Sequence, residues 1–209
     1  MGFGLMIIGY IIAYGGSMVS QISALTFILG SGIIIFSLRK LIYENKLFIA
    51  SILFAFLLEV SSIISLGIQL FYMPNTVSDI FGYVANGSAF MLGLFLMLGI
   101  YALSREVGES NVKATSLISA ILVGVTAISY VLCQTIPSQV VLERLYVIHF
   151  ILTLAYVILS SVTIFSAYAR ICYEGDENMQ RETSGIPLFD AMNKLFDKAF
   201  SRKNDKGKK

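Results

Sequence analysis

The sequence predicts an all-α fold: a polytopic membrane bundle of six transmembrane helices, followed by a C-terminal amphipathic helix. Three observations predict it: apolar segments of about 20 residues or more, few charged residues, and alternation of basic and nearly uncharged loops. Only 13% of the 209 residues are charged, about half the share in an ordinary soluble domain. Residues 1–172 are predicted to form the bundle and residues 173–209 a cytoplasmic tail.

The first 38 residues carry no charged side chain. One helix of that length would measure about 54 Å at 1.5 Å per residue, against a hydrocarbon core of about 30 Å. The run Tyr14-Gly15-Gly16-Ser17 is a turn signal. We therefore predict a hairpin of two short helices, over about 2–17 and 22–39. The alternative is a single crossing, which would move the N-terminus to the other side of the membrane.

Four longer apolar segments follow, and each is predicted to be one transmembrane helix. They run from Leu47 to Tyr72, from about Ile80 to Leu103, from about Ala114 to Ile136 and from about Leu145 to Ile171. Proline-containing turns separate the first two of these segments and the last two.

The distribution of Lys and Arg predicts the orientation of the bundle. Of the 15 such residues, all but Arg144 fall in the connections after the second and fourth helices or in the stretch from Arg170 onward. Basic loops stay in the cytoplasm. The sequence therefore predicts a cell-membrane protein with both the N- and the C-terminus in the cytoplasm.

A weak internal repeat accompanies this pattern. Lys40, Arg105 and Arg170 are evenly spaced along the chain, and each ends an even-numbered helix. The same offset aligns Ser51 with Ser116. This suggests three helical hairpins, and internal repeats are common in transporters. The alternative is chance similarity among apolar segments with basic ends.

The tail contains an amphipathic stretch over about 186–200. Its apolar face includes Phe189, Met192 and Phe196 at helical spacing, and a basic cluster with Lys203 and Lys206 follows. This arrangement predicts a helix lying on the anionic inner leaflet of the lipid bilayer. The alternative is a helix that binds a membrane or cytoplasmic protein partner.

Glu59 lies at the centre of the third predicted span and is the main functional candidate. A charged side chain there costs about 2.5 kcal/mol or more, and no Lys or Arg lies inside another predicted span. Ser62 falls on the same helical face. The pattern predicts a buried proton or ligand site. The alternative is a neutral carboxylic acid that hydrogen-bonds a neighbouring helix.

Asn86 and His149 complete the predicted site. Asn86 lies near the outer end of the fourth span, and His149 lies about one turn into the sixth. His149 and Glu59 differ in depth, so a proton relay between them would need water or a tyrosine. The alternative for both polar residues is a packing role near the membrane interface.

The sequence contains no motif that is typical of an enzyme active site, a metal site or a cofactor-binding site. There is one histidine, no Cys-x-x-Cys and no Gly-rich phosphate loop, and a net charge of +2 gives no indication of nucleic-acid binding. Two hypotheses remain. The first is a small-solute or proton-linked transport component that uses Glu59. The second is a scaffold, sensor or accessory subunit that acts through its basic amphipathic tail.

Overall fold

The computed structural model describes residues 3–16, 23–39, 41–71, 75–136 and 138–171, with the backbone alone for 75–78. All regular secondary structure in these residues is helical. The helices are α1 (Phe3–Tyr10), which continues as a π-helical segment (Ile11–Gly15), α2 (Ser23–Leu38), α3 (Lys46–Leu70), α4 (Asn75–Val107), α5 (Ser110–Thr135) and α6 (Gln139–Ile171).

Four of these helices are long and apolar enough to cross a membrane. They are α3, the Asp79–Val107 part of α4, α5 and α6. The apolar helices Phe3–Gly15 and Ser23–Leu38 are shorter. The predicted all-α membrane bundle is thus confirmed for four helices by length and composition, whereas the count of six spans stays a prediction.

Helices α4 and α6 begin earlier than the sequence pattern predicts, at Asn75 and Gln139 in place of about Ile80 and Leu145. Hydropathy marks the apolar part of a helix. The first turn of α4 is mostly polar, and the first two turns of α6 include Gln139, Glu143 and Arg144. A proline shortly before the first turn is compatible with a helix start, because its missing N–H would have no partner there.

The surface and the interior of the bundle differ in the way that a lipid environment requires. Large apolar side chains point outward on the long helices, for example Leu53, Ile121, Ile128 and Ile158. The interior contains many small hydroxyl residues beside the apolar core. Small residues let helices approach closely, and this is how helices pack when lipid provides no hydrophobic driving force between them.

Consecutive helices pack as neighbours, and α1 returns to contact α6 as well as α2. Helix α1 is buried along almost its whole length. Its contact with α2 depends on Gly30, where an added Cβ would lie 2.5 Å from both the backbone nitrogen and the Cβ of Ala13. Backbone atoms of the two helices therefore approach as closely as a glycine permits.

Five of the six described basic residues, all except Arg144, gather at one end of the bundle, here called the basic end. Arg39, Lys46, Arg105, Lys113 and Arg170 lie in or beside the connections α2–α3 and α4–α5 or at the end of α6. An ion pair of 3.7 Å joins Arg170 to Glu109. Both side chains are exposed, so this pair contributes little to stability. The assignment of the basic end to the cytoplasm stays a prediction.

The predicted tail helix, with Phe189, Met192, Phe196, Lys203 and Lys206, lies outside the described residues. The repeat stays a prediction as well. Two pairs that it aligns share their environment: Ser51 and Ser116 are fully buried, and so are Ala55 and, nearly, Ala120.

The close approach of α1 and α2 leads to a test of the packing. Gly30→Ala places a methyl group against the Ala13 backbone, which cannot move aside like a flexible side chain, and should destabilise the fold by about 1–3 kcal/mol. Gly67→Ala is the matched control, because a Cβ there meets no atom within 4 Å. Thermal unfolding in detergent measures both. Equal stability of the two variants would contradict the described contact.

Candidate functional site

A small polar cavity lies between α2, α3 and α4, in the half of the bundle away from the basic end. Its volume is about 60 Å³, room for about two water molecules. We call it the polar cavity. It is lined by Ser23, Ala24 and Phe27 of α2, Ser62, Ser65 and Gln69 of α3, and Gly82, Ala85 and Asn86 of α4.

Ser62 gives the polar cavity its unusual chemistry. The side chain is 1% exposed, and its hydroxyl has no hydrogen-bond partner in the described part of the chain. The preceding residue, Ser61, is equally buried but donates to the carbonyl oxygen of Leu57 at 2.8 Å. An unmade hydrogen bond in an apolar interior costs about 1–3 kcal/mol. Ser62 therefore contributes to the cavity lining a residue whose hydroxyl is not satisfied by any described group.

Glu59 lies one helical turn from Ser62, on the basic-end side of the polar cavity. Its side chain is partly buried at the contact of α2 with α3. A Cβ added to Gly32 of α2 would lie 3.6 Å from the Glu59 Oε1 atom. Among the described residues, no hydrogen bond or ion pair involves this carboxyl group. Because Gly32 has no side chain, the Glu59 carboxyl group has space in the middle of α3.

Asn86 connects the polar cavity to α5. Its amide nitrogen donates to the carbonyl oxygen of Gly82 at 2.9 Å and to the Tyr130 hydroxyl at 3.2 Å. Nearer the helix ends, the Tyr83 hydroxyl donates to the Gln134 side-chain oxygen at 3.4 Å. Polar contacts between α4 and α5 therefore continue from the polar cavity to the exposed end of the bundle.

His149 lies on the far side of Tyr130. The two ring centroids are 5.9 Å apart, and the His149 Nδ1 atom is 2.8 Å from the Ser129 Oγ atom. Asn86 and His149 are thus linked through one tyrosine. Glu59 lies at the α2–α3 contact and His149 at the α5–α6 contact, so they do not meet directly.

A cluster of tyrosines fills the bundle centre next to the polar cavity. Tyr10 and Tyr14 stack with ring centroids 4.3 Å apart, and Tyr156 of α6 meets them edge-on at 6.0 and 5.6 Å. The Tyr14 hydroxyl donates to the carbonyl oxygen of Ala89, one turn of α4 from the cavity-lining Ala85. Tyr14 belongs to the π-helical segment, and such segments occur often at functional sites.

The other hydroxyl groups of this tyrosine cluster are less well satisfied. Those of Tyr10 and Tyr156 approach each other and the Ser160 hydroxyl. None of the three attains hydrogen-bond geometry with a described residue, although all are fully buried. The centre of the bundle therefore holds a second group of unpaired hydroxyls, beside Gly93 and about two turns of α4 from the cavity-lining Ala85.

A wider cleft of about 350 Å³ opens at the basic end, lined by Asn111, Val112, Ala114, Thr115, Ser166 and Arg170. Its charged group, Arg170, is exposed and already paired with Glu109. Thr115 bonds backbone carbonyl oxygens of its own helix. Because its polar groups are exposed or already partnered, this cleft is a weaker candidate than the smaller polar cavity.

The structure brings the four predicted site residues into one region but not into one cavity. Ser62 and Asn86 line the polar cavity, Glu59 lies one turn away, and His149 lies behind Tyr130. Sequence analysis missed Tyr130 and the tyrosine cluster. A tyrosine in an apolar helix resembles any other aromatic core residue until the neighbouring helix is known.

Neither a relative nor a metal cluster identifies this site. The chain matches no protein-family model, no curated protein and no solved structure. Within the described ranges, no three His, Cys, Asp or Glu side chains come together in a group that could hold a metal ion. Function has therefore to be inferred from the arrangement of the residues themselves.

The tyrosine cluster requires a residue without a side chain at Gly93 of α4, and this requirement can be tested. A Cβ added to Gly93 would collide with the Tyr156 hydroxyl oxygen, so Gly93→Ala should destabilise the protein by about 1–3 kcal/mol. Tyr156→Phe removes that oxygen and should restore most of the loss in the double variant. Thermal unfolding of the single and double variants checks this.

Gly87→Ala in the same helix serves as the control, because a Cβ at Gly87 meets no atom within 4 Å. Additive losses in the double variant, without rescue, would show that the hydroxyl of Tyr156 does not limit the space at Gly93.

Proposed function

We propose that this protein is a proton-linked membrane transport component that binds a small polar solute or a hydrated proton in the polar cavity. One observation carries the proposal: Ser62, whose fully buried hydroxyl has no described partner, belongs to the lining of a small polar cavity between three helices of the bundle. Packing does not require such a group, and it lowers stability unless something occupies the cavity.

The lining of the polar cavity favours an uncharged or weakly charged occupant. Ser62 and Ser65 offer hydroxyls, and Gln69 and Asn86 offer amides. Each of these groups can donate or accept a hydrogen bond, and the cavity lining itself carries no formal charge. A volume of about 60 Å³ limits the occupant in this conformation to a few non-hydrogen atoms.

Glu59 is the group that we assign to proton coupling. Ionisable residues inside membrane spans are expensive, and they commonly mark proton or ion pathways. Its carboxyl is one helical turn from Ser62, about 4.5 Å along the helix axis. Gly32 leaves space beside it. Proton exchange at Glu59 would thus occur next to the occupant of the polar cavity.

We also propose that all six helices cross the membrane, with the basic end in the cytoplasm. Helices α1 and α2 are short, but the almost complete burial of α1 means that protein rather than lipid surrounds its backbone. Irregular or short helical structure is tolerated at membrane depth under that condition. The polar cavity would then face the outer half of the bilayer.

Glu59→Gln provides the direct test. In proteoliposomes containing a trapped pH-sensitive dye, the wild-type protein should accelerate proton flux driven by an imposed pH gradient, with and without a mixture of small amino acids and sugars. The variant should reduce the protein-dependent flux by about tenfold or more, because an amide cannot exchange a proton as a carboxyl does.

The matched control is Glu106→Gln, which alters an exposed glutamate at the basic end and should leave the flux unchanged. Wild-type flux no faster than that of empty liposomes under any condition would overturn the proposal, and so would an unchanged flux in Glu59→Gln.

Ser62→Ala tests the role of the unpaired hydroxyl. Removing it should raise the free energy of unfolding by about 1 kcal/mol or more, while the proton flux falls. Ser61→Ala removes a hydroxyl that is already bonded, so it should neither stabilise the protein nor lower the flux. Lower stability with full flux in Ser62→Ala would instead assign the hydroxyl a structural role. Thermal unfolding and the dye assay give the two measurements.

A further inference from the structure

The protonation state of His149 can be deduced from its hydrogen bond to Ser129. The Ser129 hydroxyl has one hydrogen, and it donates that hydrogen to the carbonyl oxygen of Thr126 at 2.7 Å. With its hydrogen placed on that carbonyl oxygen, the Ser129 hydroxyl accepts from His149, whose Nδ1 atom is 2.8 Å from the Ser129 Oγ atom. This arrangement favours a neutral His149 that carries its proton on Nδ1.

The second ring nitrogen, Nε2, then has a free lone pair. No hydrogen bond to this atom occurs in the part of the chain that the structure describes. The ring is partly buried. Proton uptake at Nε2 would leave the Nδ1–Ser129 hydrogen bond intact. His149 therefore has an open site for a proton and loses no existing contact by binding it.

Tyr130 would sense the charge that this proton brings. Its ring centroid is 5.9 Å from that of His149, within the range of about 6 Å over which a cation is attracted to an aromatic ring. Its hydroxyl accepts a hydrogen bond from Asn86, and Asn86 lines the polar cavity. One side chain thus contacts both the histidine and a cavity residue.

The other ionisable groups near His149 leave its charge without a direct counter-ion. They are Tyr83 of α4, Tyr130 and Cys133 of α5, and Tyr146 of α6, with Glu143 and Arg144 exposed at the start of α6. No described carboxylate forms an ion pair with the imidazole. Tyr130 is therefore the main group that can respond to its protonation.

We propose that His149 is a second proton-binding site, which takes a proton at Nε2 and is coupled through Tyr130 to Asn86 in the polar cavity. The idea that His149 regulates the polar cavity rests on the proposed function. The tautomer of His149 and its coupling to Asn86 do not depend on transport, because they are properties of the folded chain. Because coupling free energies are reciprocal, a ligand bound at Asn86 changes the proton affinity of His149 by the factor by which the proton changes the affinity for that ligand.

His149 is the only histidine in the chain, and this allows a direct experiment. The full-length protein, purified without a histidine tag and labelled with ¹⁵N-histidine in nanodiscs, gives one imidazole signal pair by NMR. Above the titration midpoint, the wild type should show the Nδ1–H tautomer, and Ser129→Ala should shift it toward the Nε2–H tautomer. On acidification the imidazole should gain its second proton at Nε2 and keep the Nδ1–H hydrogen.

The coupling is measured by the titration midpoint in five variants. Tyr130→Leu removes the ring and should lower the proton affinity of His149 by about threefold, the size of a weak cation–ring interaction. Asn86→Ala should change the affinity by about twofold or more, but not in the Tyr130→Phe background, which lacks the connecting hydroxyl. Ser88→Ala should have no effect, because that hydroxyl bonds only the Val84 carbonyl oxygen in its own helix.

Three results would overturn this inference: the Nε2–H tautomer in the wild type, an imidazole that gains no proton on acidification of the folded protein, or one midpoint for all variants. The NMR measurement needs no transport. An unchanged flux in Glu59→Gln would overturn the proposed function and leave the coupling in place. A single midpoint for all variants, together with normal Glu59-dependent flux, would overturn the coupling and leave the proposed function in place.

Discussion

Hydrogen bonding inside a membrane bundle is the constraint on which this structure depends. Lipid offers no partner for a polar group, so each hydroxyl must find one within the protein. Most interior Ser and Thr side chains do so locally by donating to a carbonyl oxygen one turn earlier in their own helix, as Ser31, Ser37, Thr126 and Thr163 do. The bundle can then carry many small hydroxyls that allow close helix packing, without a network between helices.

Several polar groups that do not hydrogen-bond within their own helix lie in and around the candidate site. The unpaired hydroxyl of Ser62 belongs to the lining of the polar cavity, and those of Tyr10, Tyr156 and Ser160 lie in the bundle centre. Several hydrogen bonds between described helices lie near these groups, including Tyr14 to Ala89, Asn86 to Tyr130, and His149 to Ser129. Helix α4 takes part in the first two and also lines the polar cavity. A change in its position would alter these two contacts and the cavity lining together.

Much of the fold could be predicted from the sequence, since the relevant signals are local. Apolar length identified α3 to α6, and a Gly-Gly-Ser turn predicted two short helices that the structure places at Phe3–Gly15 and Ser23–Leu38. The site was predicted less completely. Glu59 was conspicuous because a charge is rare in an apolar segment, but Tyr130 looked like any aromatic residue. Its role depends on Asn86, which lies 44 positions earlier in the chain, and on His149 of α6. No local sequence pattern contains that information.

The sequence by itself determined the class of protein, because transfer of apolar segments into lipid depends only on their composition and length. It also determined which side chains are chemically unusual there: one glutamate, one histidine and a few amides. Only the tertiary structure decided which of them share a space. Helix rotation and close contacts such as Gly30 against Ala13 placed Ser62 and Asn86 around one cavity and separated Glu59 from His149. Such placement follows from packing between helices distant in sequence, which is encoded jointly by many residues.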